Sequence, residues 1–385
     1  MNHLAVITSN YPSPAQPTNG TFVQQLTQAV ARQGVNVTVI QPLSVNRALS
    51  RKRYPYHESD QLRGGRAIDI YRPRFFSLSA RDAFNTLGIF SPSRFTFRAF
   101  TAAVLRTLRQ ENIHADAIYG HFLFMAGAAA VIAGEAHKIP SFPCAGEGEF
   151  WTVRRYGTTY ARKVLRPASG ILANSSVLKQ DIIHAINFPS DRIGVFPNGA
   201  NLSVFNPKDK QESRKRFGLP QERFLVCSAG NFLHKKGVVR VGEAIEGVEG
   251  VAGVFVGSGP TPPQASNTAF CGRVSHDEMP YLMSACDVFV LPTIIEGSCN
   301  AIVEAMACGL PIISSDGAFN DDLLSEDMSI RVDPMDVAAI RDAVLCLRDD
   351  PDLLSRMGQA TLAKSIKFDI NKRAAAILSF MEVCS

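Results

Sequence analysis

Short apolar runs alternate with polar loops along the whole chain, and this pattern predicts an α/β protein. The clearest unit is residues 288–316, VFVLPTIIEGSCNAIVEAMACGLPIISSD. Val288–Leu291 and Pro311–Ser314 are short apolar runs of the kind found in strands buried on both faces of a parallel sheet. Between them, Pro292 and Gly297 end the first strand and precede a helix of about ten residues. The stretch therefore predicts a strand, a loop, a helix and a second, parallel strand.

The same alternation continues outside this unit. Further strands are predicted at residues 4–8, 35–40, 116–119, 139–143, 171–173, 193–196, 224–229 and 251–256. Apolar helices follow two of the early strands, at Thr21–Gln33 and Phe122–His137. Residues 47–93 are basic, aromatic and irregular, which favours an insertion or a mobile loop over a packed strand-helix pair. The length of 385 residues favours more than one domain, and the polar stretch 206–221 is the predicted crossing between them.

Composition places the chain among globular proteins, with 46% hydrophobic and 19% charged residues. No apolar run approaches the roughly 20 residues of a membrane span, and the N-terminus lacks the pattern of a secretory signal. The eight cysteines show no CxxC and no metal-ligand spacing. We therefore expect buried thiols in a reduced, cytoplasmic protein.

Charge is distributed unevenly along the chain. Residues 1–205 carry 22 Lys and Arg against 11 Asp and Glu, and the remainder carries 18 against 24. The main basic residues of the first half are Arg51, Lys52, Arg53, Arg63, Arg66, Arg72, Arg74, Arg154, Arg155, Arg162, Lys163 and Arg166. Two explanations of this excess are equally good: a solvated surface, and attraction to anionic phospholipid or to a pyrophosphate-linked acceptor. No recognition motif accompanies the charge, which argues against nucleic acid as a partner.

Chemistry-bearing residues collect after the first strand of the 288–316 unit. Ligands of parallel sheets bind beyond the carboxyl ends of the strands, where the sequence puts Glu296. The next helix offers backbone N–H groups at Asn300, Ala301 and Ile302, which suit a phosphate, and Glu304 lies in its first turns. Two carboxylates would repel a phosphate unless each faces hydroxyl groups, which favours a nucleotide sugar as the ligand. The alternative is that Glu304 is a solvated helix residue and Glu296 a loop charge.

The segment EGSCNAIVEAMACGLPIISSD resembles the Glu-x7-Glu signature of glycosyltransferase family 4, a family of retaining, metal-independent enzymes. The resemblance implies an α/β fold of GT-B type, with two Rossmann-like domains whose parallel sheets face each other across a cleft. It implies an acceptor-binding domain over residues 1–205, a nucleotide-sugar-binding domain over 206–365, and a helix over 366–385 that crosses back to the first domain. In this family the first glutamate, here Glu296, faces the donor sugar and the second, Glu304, binds the ribose.

Other residues of the second half match the family in part. The run GNFLHKKG is similar to a family pattern in which an arginine and a lysine hold the diphosphate in place of a metal. Lys236 matches the lysine, whereas Asn231 stands where arginine is usual and supplies no charge. The resemblance also implies that the backbone at Arg273 and Val274 reaches the nucleotide base. Residues 350–352 have the letters of a DxD metal site, but a helix starting at a proline explains them better, so no metal cofactor is expected.

In the first half, Gly20 lies between a strand, a loop and a helix start, which is the topology of a phosphate cradle. His121 ends a strand and is either a structural residue or, as the resemblance implies, a neutral imidazole that lines the donor-sugar pocket. Glu147 is the candidate for binding the acceptor hydroxyl or acting as its base, with Glu149 as the competing choice. Trp151 suits either stacking on an acceptor sugar or the core.

The resulting prediction is a retaining transfer of a hexosyl group from a nucleoside-diphosphate sugar, a UDP-sugar by default. The acceptor is a hydroxyl of a saccharide or lipid-linked molecule in surface polysaccharide biosynthesis, and the predicted catalytic residues are His121, Glu296, Lys236 and Glu147. A cytoplasmic protein is expected, with peripheral contact at the inner face of the membrane through its basic half as an option. Two alternatives stay open: a sugar-nucleotide epimerase of the same fold, and a catalytically silent subunit that binds nucleotide sugars.

Overall fold

The computed structural model describes residues 1–45, 54–62, 67–78, 92–148, 153 and 156–385. Contacts divide the chain into two compact units, each built around its own sheet. The first unit comprises Met1–Phe196 together with Asn371–Ser385, and the second comprises Pro197–Ile370.

The first unit contains an eight-stranded sheet. In spatial order its strands are β10 (Ile193–Val195), β9 (Ile171–Ala173), β8 (Ser141–Ala145), β7 (Ala117–His121), β1 (His3–Ile7), β2 (Asn36–Ile40), β5 (Ala67–Tyr71) and β4 (His57–Gln61). Neighbouring strands are parallel except β5 and β4, which are antiparallel. Two short strands, β3 (Leu43–Ser44) and β6 (Arg74–Phe75), form a separate parallel pair.

Helices cover both faces of this sheet. Among the described residues these helices are α1 (Thr21–Arg32), α2 (Pro92–Gln110), α3 (Ala128–His137), α4 (Thr158–Leu165), α5 (Ser176–Ile186) and, from the end of the chain, α12 (Ile370–Val383). On one face α2 packs on α3, α3 on α4 and α4 on α5. Alternate residues of a strand face opposite sides, so Ala5 and Ile7 join the core beneath that layer. Leu4 and Val6 instead line a small apolar cavity with side chains of α1 and α12.

The second unit contains a six-stranded sheet in which all pairs are parallel. The order is β13 (Thr268–Gly272), β12 (Val251–Ser258), β11 (Phe224–Asn231), β14 (Val288–Leu291), β15 (Ile312–Ser315) and β16 (Ser329–Val332). Its helices are α6 (Lys210–Arg216), α7 (Val238–Ile245), α8 (Met279–Ser284), α9 (Asn300–Ala307), α10 (Val337–Asp349) and α11 (Pro351–Ser365). The 288–316 stretch forms β14, α9 and β15, as its apolar pattern predicted.

The division between the units falls between Phe196 and Pro197, whereas the sequence put it after residue 205. Residues between these two points pack with the second unit. The backbone N–H of Asn198 donates to the hydroxyl of Ser298 over 2.9 Å, and Phe205 is buried in the second unit's core. These contacts lie far apart in sequence, so the local change to polar residues at 206 was a poor guide to the boundary.

The expectation of an irregular segment over residues 47–93 is wrong for part of it. β5 pairs with β2 in the main sheet, and its Ile68 and Ile70 are buried while alternate positions face outward. Residues 46–53, 63–66 and 79–91 lie outside the described part of the chain, and with them Arg51–Arg53, Arg63 and Arg66.

The burial of the cysteines agrees only in part with the expectation of buried thiols. Of the eight free thiols, Cys144, Cys227, Cys286, Cys299 and Cys308 are buried, whereas Cys384 is half-buried and Cys271 and Cys346 are exposed. The expectation of buried thiols is therefore wrong for the last two, which lie on an edge strand and on the outer side of α10.

No helix in the described ranges has both the length and the apolarity to span a bilayer.

Candidate active site

Two predicted site residues meet at the carboxyl edge of the second sheet. Lys236 ends a short turn that follows β11, and Glu296 lies in the loop after β14, the strand next to β11. Their side chains form an ion pair, and they are only 19% and 17% exposed. A cation and a carboxylate are therefore held together at the sheet edge where parallel sheets bind ligands.

A buried arginine joins the two loops that carry this pair. Arg240 on α7 donates to the carbonyl oxygens of His234, Pro292 and Pro334. Gly237, which follows Lys236, has φ +77°, and a side chain there would bring its Cβ within 2.4 Å of the Pro292 carbonyl oxygen. Arg240 was not among the site residues predicted from the sequence. It could have been recognised as a charged residue inside the apolar helix VVRVGEAI. A guanidinium is buried only where hydrogen-bond acceptors surround it.

The loop after Glu296 leads into the N-terminus of α9. Ser298 in this loop is held from across the unit, because the side-chain amide of Asn198 donates to its carbonyl oxygen over 2.9 Å. The side chain of Cys299, the residue before α9, makes no capping hydrogen bond to the first turn. The backbone N–H groups of Asn300, Ala301 and Ile302 have no acceptor within their own helix, so they present a positive dipole end to an anion.

Glu304, one turn further along α9, has a partner that the sequence analysis did not include. Its Oε1 lies 3.3 Å from Nε2 of His276, whose ring packs edge-on against Phe205. Burial lowers the pKa of His276, but the hydrogen bond and charge of Glu304 outweigh it, and the net shift is upward. The pair orients the Glu304 carboxylate, whose side chain is 14% exposed.

The remaining predicted residues of this unit also lie at the carboxyl ends of strands. Asn231 ends β11 and is exposed beside Ser258 of β12. Arg273 and Val274 follow β13, the former exposed and the latter half-buried against the core. β13, β12, β11 and β14 are successive neighbours, so these residues share one edge with the Lys236–Glu296 pair.

In the first unit, His121 is the last residue of β7 and is only 4% exposed. Its Nδ1 lies 2.7 Å from the hydroxyl of Tyr119, and its ring contacts those of Phe22 and Phe122. Burial, with a smaller contribution from the guanidinium of Arg373, lowers the pKa of His121 to about 3. The imidazole is therefore neutral at physiological pH and suited to hydrogen bonding rather than to carrying charge.

The residues after His121 do not continue into a helix, so the predicted helix Phe122–His137 is wrong at its start. Phe122 has φ 75° and ψ 143°, Met125 has φ 63° and ψ −83°, and α3 begins only at Ala128. Positive φ values in bulky residues cost of order 1–3 kcal/mol each and occur mostly at functional sites. The apolar pattern could not reveal this turn, because its residues are as apolar as those of the helix.

Glu147 supports this strained turn. One carboxylate oxygen accepts the backbone N–H of Leu123 over 2.9 Å, and the other accepts that of Gly146 over 3.1 Å. Burial raises the pKa of Glu147 to about 7, although these backbone N–H groups oppose the shift. The sequence assigned Glu147 to an acceptor hydroxyl, whereas the structure engages both of its oxygens with the backbone.

Gly20 takes a conformation that few other residues adopt. It precedes α1 with φ 78°, and a Cβ at this position would lie 2.5 Å from backbone atoms of Asn10. The long loop after β1 therefore closes tightly against the start of α1. Glu149, Trp151, Arg154 and Arg155 lie outside the described residues.

The two units, together with a cation, a helix N-terminus and two carboxylates at the carboxyl edge of the second sheet, agree with the class expected from the sequence: a glycosyltransferase of GT-B fold. The model of "Glycosyltransferase Family 4" matches residues 20–204, and that of "Glycosyl transferases group 1" matches residues 209–364. The chain belongs to glycosyltransferase family 4 and is a transferase enzyme.

Known relatives agree with this assignment over the full length. The chain is 28% identical to TuaC of Bacillus subtilis (strain 168), which is named provisionally as a teichuronic acid biosynthesis glycosyltransferase, over 96% of each chain. Among solved structures, sucrose-phosphate synthase from Thermosynechococcus elongatus has a TM-score of 0.74 at 17% identity, and Anabaena HepE in complex with UDP and glucose has 0.72 at 16%. Both alignments cover 100% of each chain, and at these identities they establish the shared fold.

Proposed function

We propose that the enzyme transfers a hexosyl group from a UDP-sugar, with retention of the anomeric configuration, to a hydroxyl of a saccharide or lipid-linked acceptor in surface polysaccharide biosynthesis. The observation that carries the proposal is the Lys236–Glu296 ion pair beside the uncapped N-terminus of α9. The names of relatives support the donor and pathway: HepE binds UDP and glucose, and TuaC is assigned to teichuronic acid biosynthesis.

In this proposal Lys236 and the N–H groups of α9 bind the diphosphate. Glu296 is already neutralised by Lys236, which removes the repulsion that an isolated carboxylate would exert on a phosphate. As the bond from the sugar C1 to the diphosphate breaks, negative charge grows on the departing oxygen. Fixed donors aimed at that charge account for a large share of the rate in such sites.

The nucleoside is assigned to the neighbouring part of the same edge. Glu304, oriented by His276, accepts hydrogen bonds from the ribose hydroxyls, and the backbone near Arg273 and Val274 reaches the base. Asn231 contributes a neutral contact where the family pattern has arginine, so the diphosphate is held by fewer positive charges. No metal cofactor is proposed.

The proposed transfer needs no protein nucleophile. The acceptor oxygen forms a new bond to C1 on the face that the diphosphate leaves, and the departing diphosphate oxygen takes the acceptor proton. Glu296 orients the sugar. In the first unit, the neutral imidazole of His121 is suited to hydrogen-bond a hydroxyl group. Glu147, whose oxygens hold the turn after His121, acts as a positioning residue and not as the acceptor's base.

Product stereochemistry tests the proposed reaction. The purified full chain is incubated with UDP-hexoses and a panel of lipid-linked and soluble saccharide acceptors, and the new glycosidic bond is assigned by NMR. We expect a product with the donor's anomeric configuration, formed only when an acceptor is present and equally well in EDTA. An inverted product would contradict retention, and a new nucleotide sugar formed from the donor alone would identify an epimerase.

We also propose that the enzyme works in the cytoplasm and touches the inner face of the membrane through its first unit. A lipid-linked acceptor would lie at that surface. The excess of Lys and Arg over residues 1–205 supports this location, because cytoplasmic leaflets are rich in anionic lipid.

A further inference from the structure

The exposed side of α2 is basic and has no acidic residue. The helix sequence, PSRFTFRAFTAAVLRTLRQ, contains no Asp or Glu. Its apolar side, which includes Phe97, Phe100, Val104 and Leu108, is buried in the first unit. At about 100° per residue the exposed arginines of α2 fall within an arc of about 120°. The basic residues on that arc are Arg94, Arg98, Arg106 and Arg109.

A second basic helix adjoins α2. The guanidinium carbon of Arg94 lies 4.7 Å from the ring centre of Tyr160 on α4, and the hydroxyl of Tyr156 donates to the carbonyl oxygen of Ser93 over 3.5 Å. α4 also lacks Asp and Glu. It and the residues just after it expose Arg162, Lys163 and Arg166.

Ion pairs do not neutralise this surface within the described part of the chain. The structure records no carboxylate paired there with Arg98, Arg106, Arg109, Arg162, Lys163 or Arg166. Six exposed basic residues with no ion pair recorded in the described part of the chain produce a positive potential that attracts an anionic partner.

Large apolar side chains are exposed beside these charges. Phe76 is 70% exposed, Leu78 42% and Phe95 39%. The hydroxyl of Thr96 bonds to both the N–H and the carbonyl oxygen of Leu78, so the exposed residues after β6 lie against the first turn of α2. Exposed aromatics next to arginines are unfavourable for a surface that meets only water, and they are typical of helices that lie in the membrane interface.

We propose that this surface docks on an anionic lipid bilayer. We call it the basic face; it consists of the outward residues of α2 and α4 together with Phe76, Leu78 and Phe95. Charge complementarity and the exposed apolar side chains favour an anionic lipid surface, and no nucleic-acid recognition motif accompanies the charge. The inference deepens the peripheral contact proposed above and names the surface that makes it. It is independent of which sugar nucleotide the second unit binds.

Co-sedimentation with vesicles tests the proposal on the full chain. Wild-type protein is expected to bind vesicles that contain phosphatidylglycerol, to bind pure phosphatidylcholine weakly, and to be released by salt. Each basic residue at such a surface strengthens partitioning about fivefold. The variant Arg98→Gln/Arg106→Gln/Arg109→Gln should therefore bind about a hundredfold more weakly.

The matched control is Arg223→Gln/Arg356→Gln/Lys367→Gln, which removes three exposed charges from the second unit. The control should bind like the wild type, and equal loss in both triple variants would overturn the assignment to the basic face. Phe76→Ser keeps every charge and should weaken binding without changing its salt dependence; unchanged binding would overturn the apolar part of the surface. Wild-type protein that ignores phosphatidylglycerol would overturn the whole inference.

Transfer to a water-soluble acceptor without vesicles separates this inference from the proposed function. A variant that loses lipid binding while keeping its melting temperature and soluble turnover supports the basic face as a docking surface. Absence of turnover in the wild type, together with charge-dependent lipid binding, would reject the proposed reaction and leave the docking surface in place.

Discussion

Replacing Lys236 by Met should lower turnover by about 30- to 1,000-fold, equivalent to about 2–4 kcal/mol of activation free energy. Lys236 is the cation assigned to the proposed diphosphate, and its ion pair with Glu296 is largely buried. Without it, the departing diphosphate loses a charged donor, and an uncompensated carboxylate faces the phosphates. Donor binding should weaken as well as turnover.

Steady-state kinetics with a saturating acceptor measure this effect, and Lys215→Met is the matched control. Lys215 is an exposed lysine of the same unit, so its variant should keep wild-type kinetics. Melting temperatures of both variants distinguish lost chemistry from lost folding. Wild-type turnover in Lys236→Met would remove Lys236 from the mechanism.

The free energy of unfolding of the first unit should fall by about 3 kcal/mol as pH rises from 4.5 to above 7, because of Glu147. Burial raises the pKa of this carboxyl from its ordinary 4.5 to about 7. Between these values the folded chain keeps a proton that the unfolded chain releases. The contribution is therefore fully present below pH 4.5 and is lost as pH rises through 7.

Urea unfolding at several pH values, followed by fluorescence of the single tryptophan in the first unit's sequence, measures this dependence. Glu147→Gln cannot titrate, so the stability difference between it and the wild type should change by about 3 kcal/mol over the same range. Glu135→Gln, an exposed carboxylate on α3, should run parallel to the wild type. If the free energy of unfolding of Glu147→Gln also changed with pH as that of the wild type does, the buried carboxyl would not be the cause of the pH dependence.

The sequence predicted the elements that depend on local apolar pattern. Val288–Leu291 forms a strand with the predicted bounds, and Glu296 and Glu304 flank a helix N-terminus as their spacing indicated. Both depend on periodicity and on loop breakers, which act over a few residues. The sheet edge that carries Glu296 and Glu304 could therefore be located before the structure was known.

The partners of the site residues could not be predicted in this way. Glu304 meets His276 from 28 residues away, Arg240 reaches Pro292 over 52, and Asn198 holds Ser298 over 100. Such contacts depend on strand order, which one sequence does not specify.

Two further features of the structure were not predicted from the sequence. The turn after His121 is as apolar as a helix, so only backbone geometry reveals its strain. The arginines of α2 were visible in the sequence, but their common outward face emerged only with the packing of that helix.

Nucleotide binding tests the central claim most directly, namely that the edge carrying Lys236, Glu296 and Glu304 holds a nucleoside-diphosphate sugar. Thermal unfolding is followed with UDP, GDP, ADP and their sugar conjugates, with and without EDTA. A ligand at 100 times its Kd should add about 2.7 kcal/mol of stability. We predict that the UDP series stabilises the wild type equally with EDTA and that Glu304→Gln loses most of the gain. Failure of every nucleotide to stabilise the wild type would contradict the account.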